Sequence, residues 1–481
     1  MGRMRLFLVW LLATGVAQAD VHKGYEAYKK GDYKAAYEEF NKAAQTGDAL
    51  AAFYLGESYN LGRGVVQDFS EAQKWYRKSA ETGQVEANEI LGEWYFFGKN
   101  VKQDYAEAAK FYAVAANASK AYPQYILGYM LENGRGVAQD LKAAAEWYRK
   151  SAEQGNIDAT EAIGRMAFFG QGMAVDYAES VKWNRKAATD GRAFPQYLLG
   201  FCYENARGVG QDHAEAAMWY RKAADQGDAR AQSSLGYLYS QGMGVPKDEA
   251  ESVKWYLKAA EKNETSVYGP LGWSYYQGRG VEKNNAEAFK WFQKAAEQNE
   301  ANAQYMLGVL LEDDKGVKQD LSEAAKWYRK AAEQNYLYAQ ESLARLYFSG
   351  QGVKQDYAES AKWYLKPAES GSVSAQYLLG YLYEEGKAAG ADPAQALKWY
   401  TSAAEQNDAR AQSRLGWMYY EGKGVAKDMI AAHMWSNLAA AQLTGEERDR
   451  VEKVRDYVGS KMSPEDLARA QQLAREWKPK K

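Results

Sequence analysis

Three histidines, one cysteine and a dense set of carboxylates are the residues of this chain that could carry covalent or proton-transfer chemistry. His22, His213 and His433 lie far apart, and no pair has metal-ligand spacing. No G-x-S-x-G elbow or phosphate-binding loop accompanies them. Cys202 stands in one column with Met130, Met166, Leu238, Leu310 and Leu382, so it reads as a small core residue, and a lone cysteine has no internal disulfide partner. Acidic residues three apart are common, as an acid/base dyad would need. Many recur at the start of a helix, where capping accounts for them. The sequence therefore calls for no catalytic residue, no metal and no cofactor.

Recognition is the other chemistry on offer. Aromatic side chains interleaved with glutamate and arginine form the composition of interface hot spots. Here they stand at fixed offsets from a glycine that recurs every 36 residues, at positions three before, one after and four after it, which share one helical face. Repeat three carries Tyr125, Tyr129 and Glu132; repeat four Glu161, Arg165 and Phe168; repeat five Tyr197, Phe201 and Glu204. Repeat seven carries Trp273 and Tyr276, and repeat eight Tyr305 and Glu312. Repeat nine has Glu341, Arg345 and Phe348; repeat ten Tyr377, Tyr381 and Glu384; repeat eleven Trp417 and Tyr420. These residues are the candidate groove for a protein partner. The competing reading is that they pack between neighbouring first helices. The set also echoes at five repeats: Glu161, Arg165 and Phe168 return as Glu341, Arg345 and Phe348, and Asp228-Ala229-Arg230 returns as Asp408-Ala409-Arg410. Duplication of a five-repeat block explains this, and two similar patches would suit a partner with two equivalent surfaces, such as a homodimer.

The elements that must position this face are legible in the same columns. The glycine column runs Gly56, Gly92, Gly128, Gly164, Gly200, Gly236, Gly272, Gly308, Ala344, Gly380 and Gly416. Fixed self-similarity of this kind marks a solenoid, in which each unit buries its apolar face against its neighbours. The first helix carries A-x-x-x-L-G-x-x-Y, as at Ala303, Leu307, Gly308 and Leu311, one apolar stripe at three- and four-residue spacing. A mid-helix glycine costs about 1 kcal/mol relative to alanine, so its recurrence implies a close approach there. A G-x-G-V turn follows, as in Gly62-Arg63-Gly64-Val65. Next comes an N-cap column, Asp68 through Asp428 with Asn284 the one amide, and three residues on a glutamate column broken only by Ala143, Gln395 and Ala431. That spacing predicts a capping box, with the glutamate reaching back to the cap. The second helix is expected to bury an aromatic column, Trp75, Phe111, Trp147, Trp183, Trp219, Trp255, Trp291, Trp327, Trp363, Trp399 and Trp435. It stops at Gly or Asn, the residues that tolerate a left-handed turn, with Ser119 the exception.

The L-G-x-x-Y helix, the G-x-G-V-x-Q-D turn and the E-A-x-K-W-Y-R-K-A-A-E-Q-G helix resemble the Sel1-like repeat (SLR) family, relatives of the tetratricopeptide repeats, over residues ~20–442. The resemblance implies an all-α, αα-solenoid fold, a right-handed superhelix of helix-turn-helix units. It implies adaptors, receptors or inhibitors rather than enzymes, although some members have been called weak hydrolases. An exported scaffold that binds protein is the expectation, with a periplasmic immunity protein against a toxic effector as the alternative.

Residues 1–19 read as a secretory leader, with Arg3 and Arg5, an apolar run from Leu6 to Val16, and the cleavage signal Ala17-Gln18-Ala19. The run is too short to span a membrane, so the expected product begins at Asp20, in the periplasm or outside the cell, with no transmembrane segment. Lysine and arginine number 61 against 63 acidic residues, a net charge of −2, and loss of Arg3 and Arg5 makes it more negative. No basic excess is present for nucleic acid. Residues 20–47 read as a capping half-repeat with Asp32 as a helix cap, 48–442 as eleven repeats, and 443–481 as two closing helices, Glu446–Lys461 and Pro464–Trp477.

Overall fold

A helix that starts at a fixed cap and stops at a left-handed residue makes a hairpin with the next one, and this chain repeats that local decision along its length. The computed structural model describes residues 17–387 and 390–480. Among them are 26 α-helices, one 3-10 turn (Thr265–Val267) and no strand. The chain divides into two compact units, Met1–Lys247 and Asp248–Lys481, with the boundary between the two helices of repeat six. The leader's Arg3, Arg5 and Leu6–Val16 lie outside the described residues.

Repeat three is representative. Its first helix, Ala121–Asn133, ends at Gly134 (φ 64°), and its second is Leu141–Glu153. The turn's second glycine, Gly136 (φ 71°), serves the stacking of repeats, since a Cβ there would run into the Tyr105 backbone at the start of the preceding second helix. Asp140 opens the second helix by accepting the Ala143 N–H at 2.9 Å. Ser119, the exception among the stop residues, adopts the same left-handed turn at φ 62°.

The caps correct one expectation. The cap residue's own N–H is already taken by the first helix, as Asp104 N–H donates to the Tyr95 carbonyl and Asp356 N–H to that of Tyr347. The glutamates are therefore free to pair outward, not back to the cap. Glu71, Glu251 and Glu287 take Lys74, Lys254 and Lys290 one turn on, and Glu179 takes Arg149 of the repeat before at 2.9 Å.

The aromatic column needs correcting too. In eight repeats the most buried ring is not the tryptophan-column residue but the one after it: Tyr76, Tyr112, Tyr148, Tyr220, Phe292, Tyr328, Tyr364 and Tyr400 are all sealed from solvent. The glycine column exists for these rings, because a Cβ on Gly92 or Gly380 would stand 2.8 Å from the ring of Tyr112 or Tyr400. Trp183, Trp219, Trp255, Trp399 and Trp435 are buried, while the other members are half-buried. Lysines one turn on cover their faces, as Lys150 covers Trp147 at 4.3 Å and Lys330 covers Trp327 at 3.8 Å.

Successive hairpins are joined by a buried glutamine that the sequence reading passed over. Gln376 donates to the Ala368 carbonyl at 2.9 Å and accepts from Gln406 at 2.9 Å. Gln124 and Gln196 make the same two bonds in the first unit. Repeat seven departs locally: Pro270 has no N–H to donate, so the first turn of its helix tightens to the 3-10 turn before Tyr268–Gln277.

The N-terminal segment is a whole hairpin rather than half a repeat. Ala17–Lys29 packs on Tyr33–Gln45, and Gly24 lies against Phe40 as the repeat glycines lie against their tyrosines. At the other end Gly445–Gly459 and Pro464–Glu476 close the second unit, with Trp477 edge-on to Trp435 at 6.0 Å.

Candidate functional site

In repeats three, five, eight and ten the glycine lets the buried tyrosine of the second helix rise to the first-helix face, and candidate residues are arranged around its ring; in repeats four and eleven Asn184 and Ser436 take that place. In the first unit the ring of Tyr125 packs against Tyr148 at 5.9 Å, and that of Tyr197 against Tyr220 at 5.8 Å. The Tyr148 hydroxyl donates to Glu132 at 2.7 Å, and the other Glu132 oxygen accepts from Arg165 of the next repeat at 2.5 Å. Glu204 takes the Tyr220 hydroxyl at 2.6 Å. Phe168 stands edge-on to Phe201 at 5.5 Å, and the Arg135 guanidinium lies over Tyr129 at 5.1 Å. Burial holds the Glu161 carboxyl above its ordinary range, with Arg192 opposing. Tyr125, Tyr129, Glu132, Glu161, Arg165 and Arg192 line a cavity of about 400 Å³.

The second unit repeats the geometry by itself. The Tyr328 hydroxyl donates to Glu312 at 2.9 Å, and Arg345 reaches the other oxygen at 2.5 Å. Tyr305 packs on Tyr328 at 5.7 Å, and Phe348 on Tyr381 at 6.0 Å. Glu341 accepts from Ser372 at 3.0 Å. Glu384 is buried, accepts the Tyr400 hydroxyl at 2.8 Å, and has Lys423 and Arg414 at 3.8 and 3.9 Å. Tyr377 packs on Tyr400 and carries the Arg410 guanidinium at 4.3 Å. Trp273 donates to Asn302 at 3.2 Å and meets Tyr276 edge-on at 5.7 Å. Tyr420 touches Tyr457 of the closing helices at 5.8 Å. Trp417, Tyr377, Arg410, Arg414 and Arg450 line a second cavity, of about 360 Å³.

The 180-residue echo is thus three-dimensional: Arg165–Glu132–Tyr148 and Arg345–Glu312–Tyr328 are the same triad. The expectation of an exposed face is corrected. Of the candidate residues only Arg345 is exposed, Glu384 is buried, and the rest are half-buried; in repeats three, five, eight and ten the aromatic three before the glycine leans onto the ring that fills the glycine's space. What sequence reasoning missed lies in repeats one and two, where the same columns hold Phe53, Glu57, Glu89 and Glu93. Repeat two also holds Phe96, in the column of Phe168, so its pattern was available to the same reading.

Elsewhere, Cys202 is fully buried and its thiol is pushed up to about 12 by that burial. His433 is buried, which lowers its imidazole's affinity for a proton, and nearby Arg455 lowers it further. Among the described residues no group of three or more His, Cys, Asp or Glu side chains is placed to hold a metal ion, and no helix is long and apolar enough to cross a membrane.

The Sel1 repeat model matches eleven successive segments, from 49–83 to 409–442. The chain belongs to the Sel1 repeat family. Among solved structures, this Sel1 repeat chain is similar to c5321, a protective antigen present in uropathogenic Escherichia coli strains that displays an SLR fold. The two are 33% identical over 92% of this chain and 94% of that one, with a TM-score of 0.66. A Sel1 repeat protein from Oxalobacter formigenes is also 33% identical, over 64% of this chain and 89% of its own, with a TM-score of 0.47. The immunity protein Pa5087 from Pseudomonas aeruginosa is 20% identical over 44% of this chain and 81% of its own; its TM-score of 0.24 carries no weight for role. No curated protein matches.

Proposed function

We propose that this protein is an exported, non-catalytic scaffold, a receptor or adaptor that binds a protein partner along the first-helix face of its repeats. The observation that carries this reading is the set of aromatic rings held on rigid helices beside glutamates and arginines, bordering cavities of about 400 and 360 Å³. Rings already fixed by packing lose little freedom on binding, which favours recognition. Membership of a family whose solenoids generally bind proteins supports the same reading.

Affinity capture with the purified protein tests it, followed by titration of the captured partner against Tyr129→Ala and Trp417→Ala. A partner that loses affinity for these variants while they stay folded supports the first-helix face; undiminished binding moves the site to another face, and failure to capture any partner counts against the scaffold. Export rests on Ala17-Gln18-Ala19. N-terminal sequencing is expected to find Asp20 on a soluble periplasmic or released product, and Met1 or Gly2 on a cytosolic one would overturn that part.

A further inference from the structure

The first-helix face changes character at the N-terminal end of the first unit. Tyr25 and Tyr28 of helix Ala17–Lys29, with Phe53 and Tyr54 of helix Ala49–Leu61, wall a cavity of about 470 Å³. Glu57, Glu89 and Glu93 border it, the last two one turn apart on helix Val85–Phe97.

The carboxylates are short of cations. A fourth one, Glu86, is satisfied by Lys120 at 3.2 Å and Gln84 at 2.8 Å. Glu93 has only Lys99, at 3.9 Å. The Glu57 and Glu89 carboxylates make no hydrogen bond or ion pair with any described residue. Burial holds the Glu57 carboxyl above its ordinary range, offset in part by Arg63. Tyr76 adds a second unmet need. It is fully buried, its ring lies against Gly56, and its hydroxyl has no hydrogen-bond partner. In repeats three, five, eight and ten that hydroxyl is satisfied by a glutamate. Here the equivalent position holds Asn60, and the ionisable groups that bear on the hydroxyl are Glu57 and Tyr28 of the cavity.

We propose that this cavity is the docking site for a basic segment of the protein partner, with an arginine or lysine side chain held by Glu57, Glu89 and Glu93 against the tyrosine wall. Charge complementarity selects this occupant. An acidic segment would meet three carboxylates, and a neutral apolar one would strip water from them without replacing it. A guanidinium satisfies carboxylates in bidentate fashion and packs flat on aromatic rings. The wall already accepts cations from the chain itself, Lys29 over Tyr25 at 4.9 Å and Arg63 over Tyr28 at 5.4 Å. A polypeptide is favoured over a small amine because the carboxylates sit on successive repeats, in the same columns as the residues around the next cavity, so an extended chain crossing the first helices would meet them in turn. The inference rests on the protein-binding reading and gives that partner its chemistry.

The test uses a fluorescein-labelled decapeptide of alternating arginine and serine, its glutamate counterpart, and spermine as a free cation. Fluorescence anisotropy is expected to show binding of the arginine peptide alone, weakened by salt. Glu57→Gln/Glu89→Gln/Glu93→Gln is expected to weaken it at least tenfold, and the surface control Glu146→Gln/Glu153→Gln to leave it unchanged. Thermal unfolding monitors the fold, and Glu89→Gln/Glu93→Gln reads the same loss if the triple variant is unstable. No binding of the arginine peptide, equal binding by the triple variant, or spermine binding as tightly with the same glutamine sensitivity would overturn the proposal. A captured partner that binds the triple variant as well as the natural protein would defeat this inference and leave the scaffold reading standing. Cavity-dependent peptide binding with no protein captured would count against the scaffold reading and leave standing only the cavity's preference for basic chains.

Discussion

Gly200 and Tyr220 sit in direct contact across the hairpin of repeat five, so that a Cβ on Gly200 would stand 2.7 Å from the tyrosine ring. The pairing explains why a residue that weakens helices occupies the middle of one. Gly200→Val is expected to destabilise by about 1–3 kcal/mol, the usual cost of overpacking a filled core, although valine is the better helix former. Urea unfolding measures it. An unchanged midpoint would mean the ring can swing away, and the glycine column would then need another explanation.

The tyrosine hydroxyls divide into two classes, which gives a sharper test. Tyr400 donates to Glu384, whose carboxylate is almost wholly enclosed. Tyr400→Phe removes that donor and is expected to cost about 1–3 kcal/mol, the penalty of a buried acceptor losing a partner. The hydroxyls of Tyr76 and Tyr112 are buried with none; Asn60 and Tyr122 come near but outside hydrogen-bond geometry. Tyr112→Phe is therefore expected to be neutral or slightly stabilising. Equal losses at both sites would refute the distinction.

How much of this the sequence disclosed follows from the range of each interaction. The period, the caps at Asp140 or Asp356 and the left-handed stops are local, and local rules found them. The glycine column is legible as a close approach, but its partner is not: a periodic pattern shows two adjacent aromatics, here Trp and Tyr, without saying which one points inward. The glutamate after the cap was misread because its expected target, the cap N–H, is taken by a carbonyl nine residues upstream in the first helix. Arg165 and Arg345 were recognised as special, but their hold on Glu132 and Glu312 spans 33 residues. The acidic cavity went unnoticed because Glu57, Glu89 and Glu93 look like ordinary surface carboxylates until Tyr25 and Tyr28 are placed beside them.

Burial raises the ionisation of the Tyr148, Tyr220, Tyr328, Tyr364 and Tyr400 hydroxyls above the ordinary tyrosine value, and their glutamate partners or neighbours push the same way. A group whose folded pKa exceeds its unfolded one stabilises fully below the unfolded value, about 10 for tyrosine, and loses that contribution as the pH climbs above it. Several such groups act together. The urea midpoint is expected to hold from about pH 8 to 10 and to fall steeply beyond, with tyrosinate absorbance rising in step with unfolding. Tyrosinate appearing well before the fold is lost would show that these hydroxyls titrate in place.

The geometry of Arg165 and Arg345 makes charge reversal at either one costly to the fold. Each guanidinium shares a carboxylate with a buried tyrosine hydroxyl, so Arg165→Glu sets two carboxylates against one another beside Tyr148. The Arg165–Glu132 pair is the more enclosed, at 26% and 17% side-chain exposure against 44% and 28% for Arg345–Glu312. Solvent screening should therefore blunt the second pair more. Arg165→Glu is expected to cost about 2 kcal/mol, through lost hydrogen bonding and like-charge repulsion, and Arg345→Glu distinctly less. A double-mutant cycle with Glu132→Gln isolates the pair term, expected near 1 kcal/mol. The exchange Arg165→Glu/Glu132→Arg is expected to recover most of the stability. It also separates packing from recognition: a captured partner that binds the exchanged protein normally needs only the fold, whereas one that is still lost reads the charge at position 165 itself. If Arg165→Glu proves as stable as the natural protein, the triad contributes nothing to the hairpin, and these arginines belong to the binding face alone.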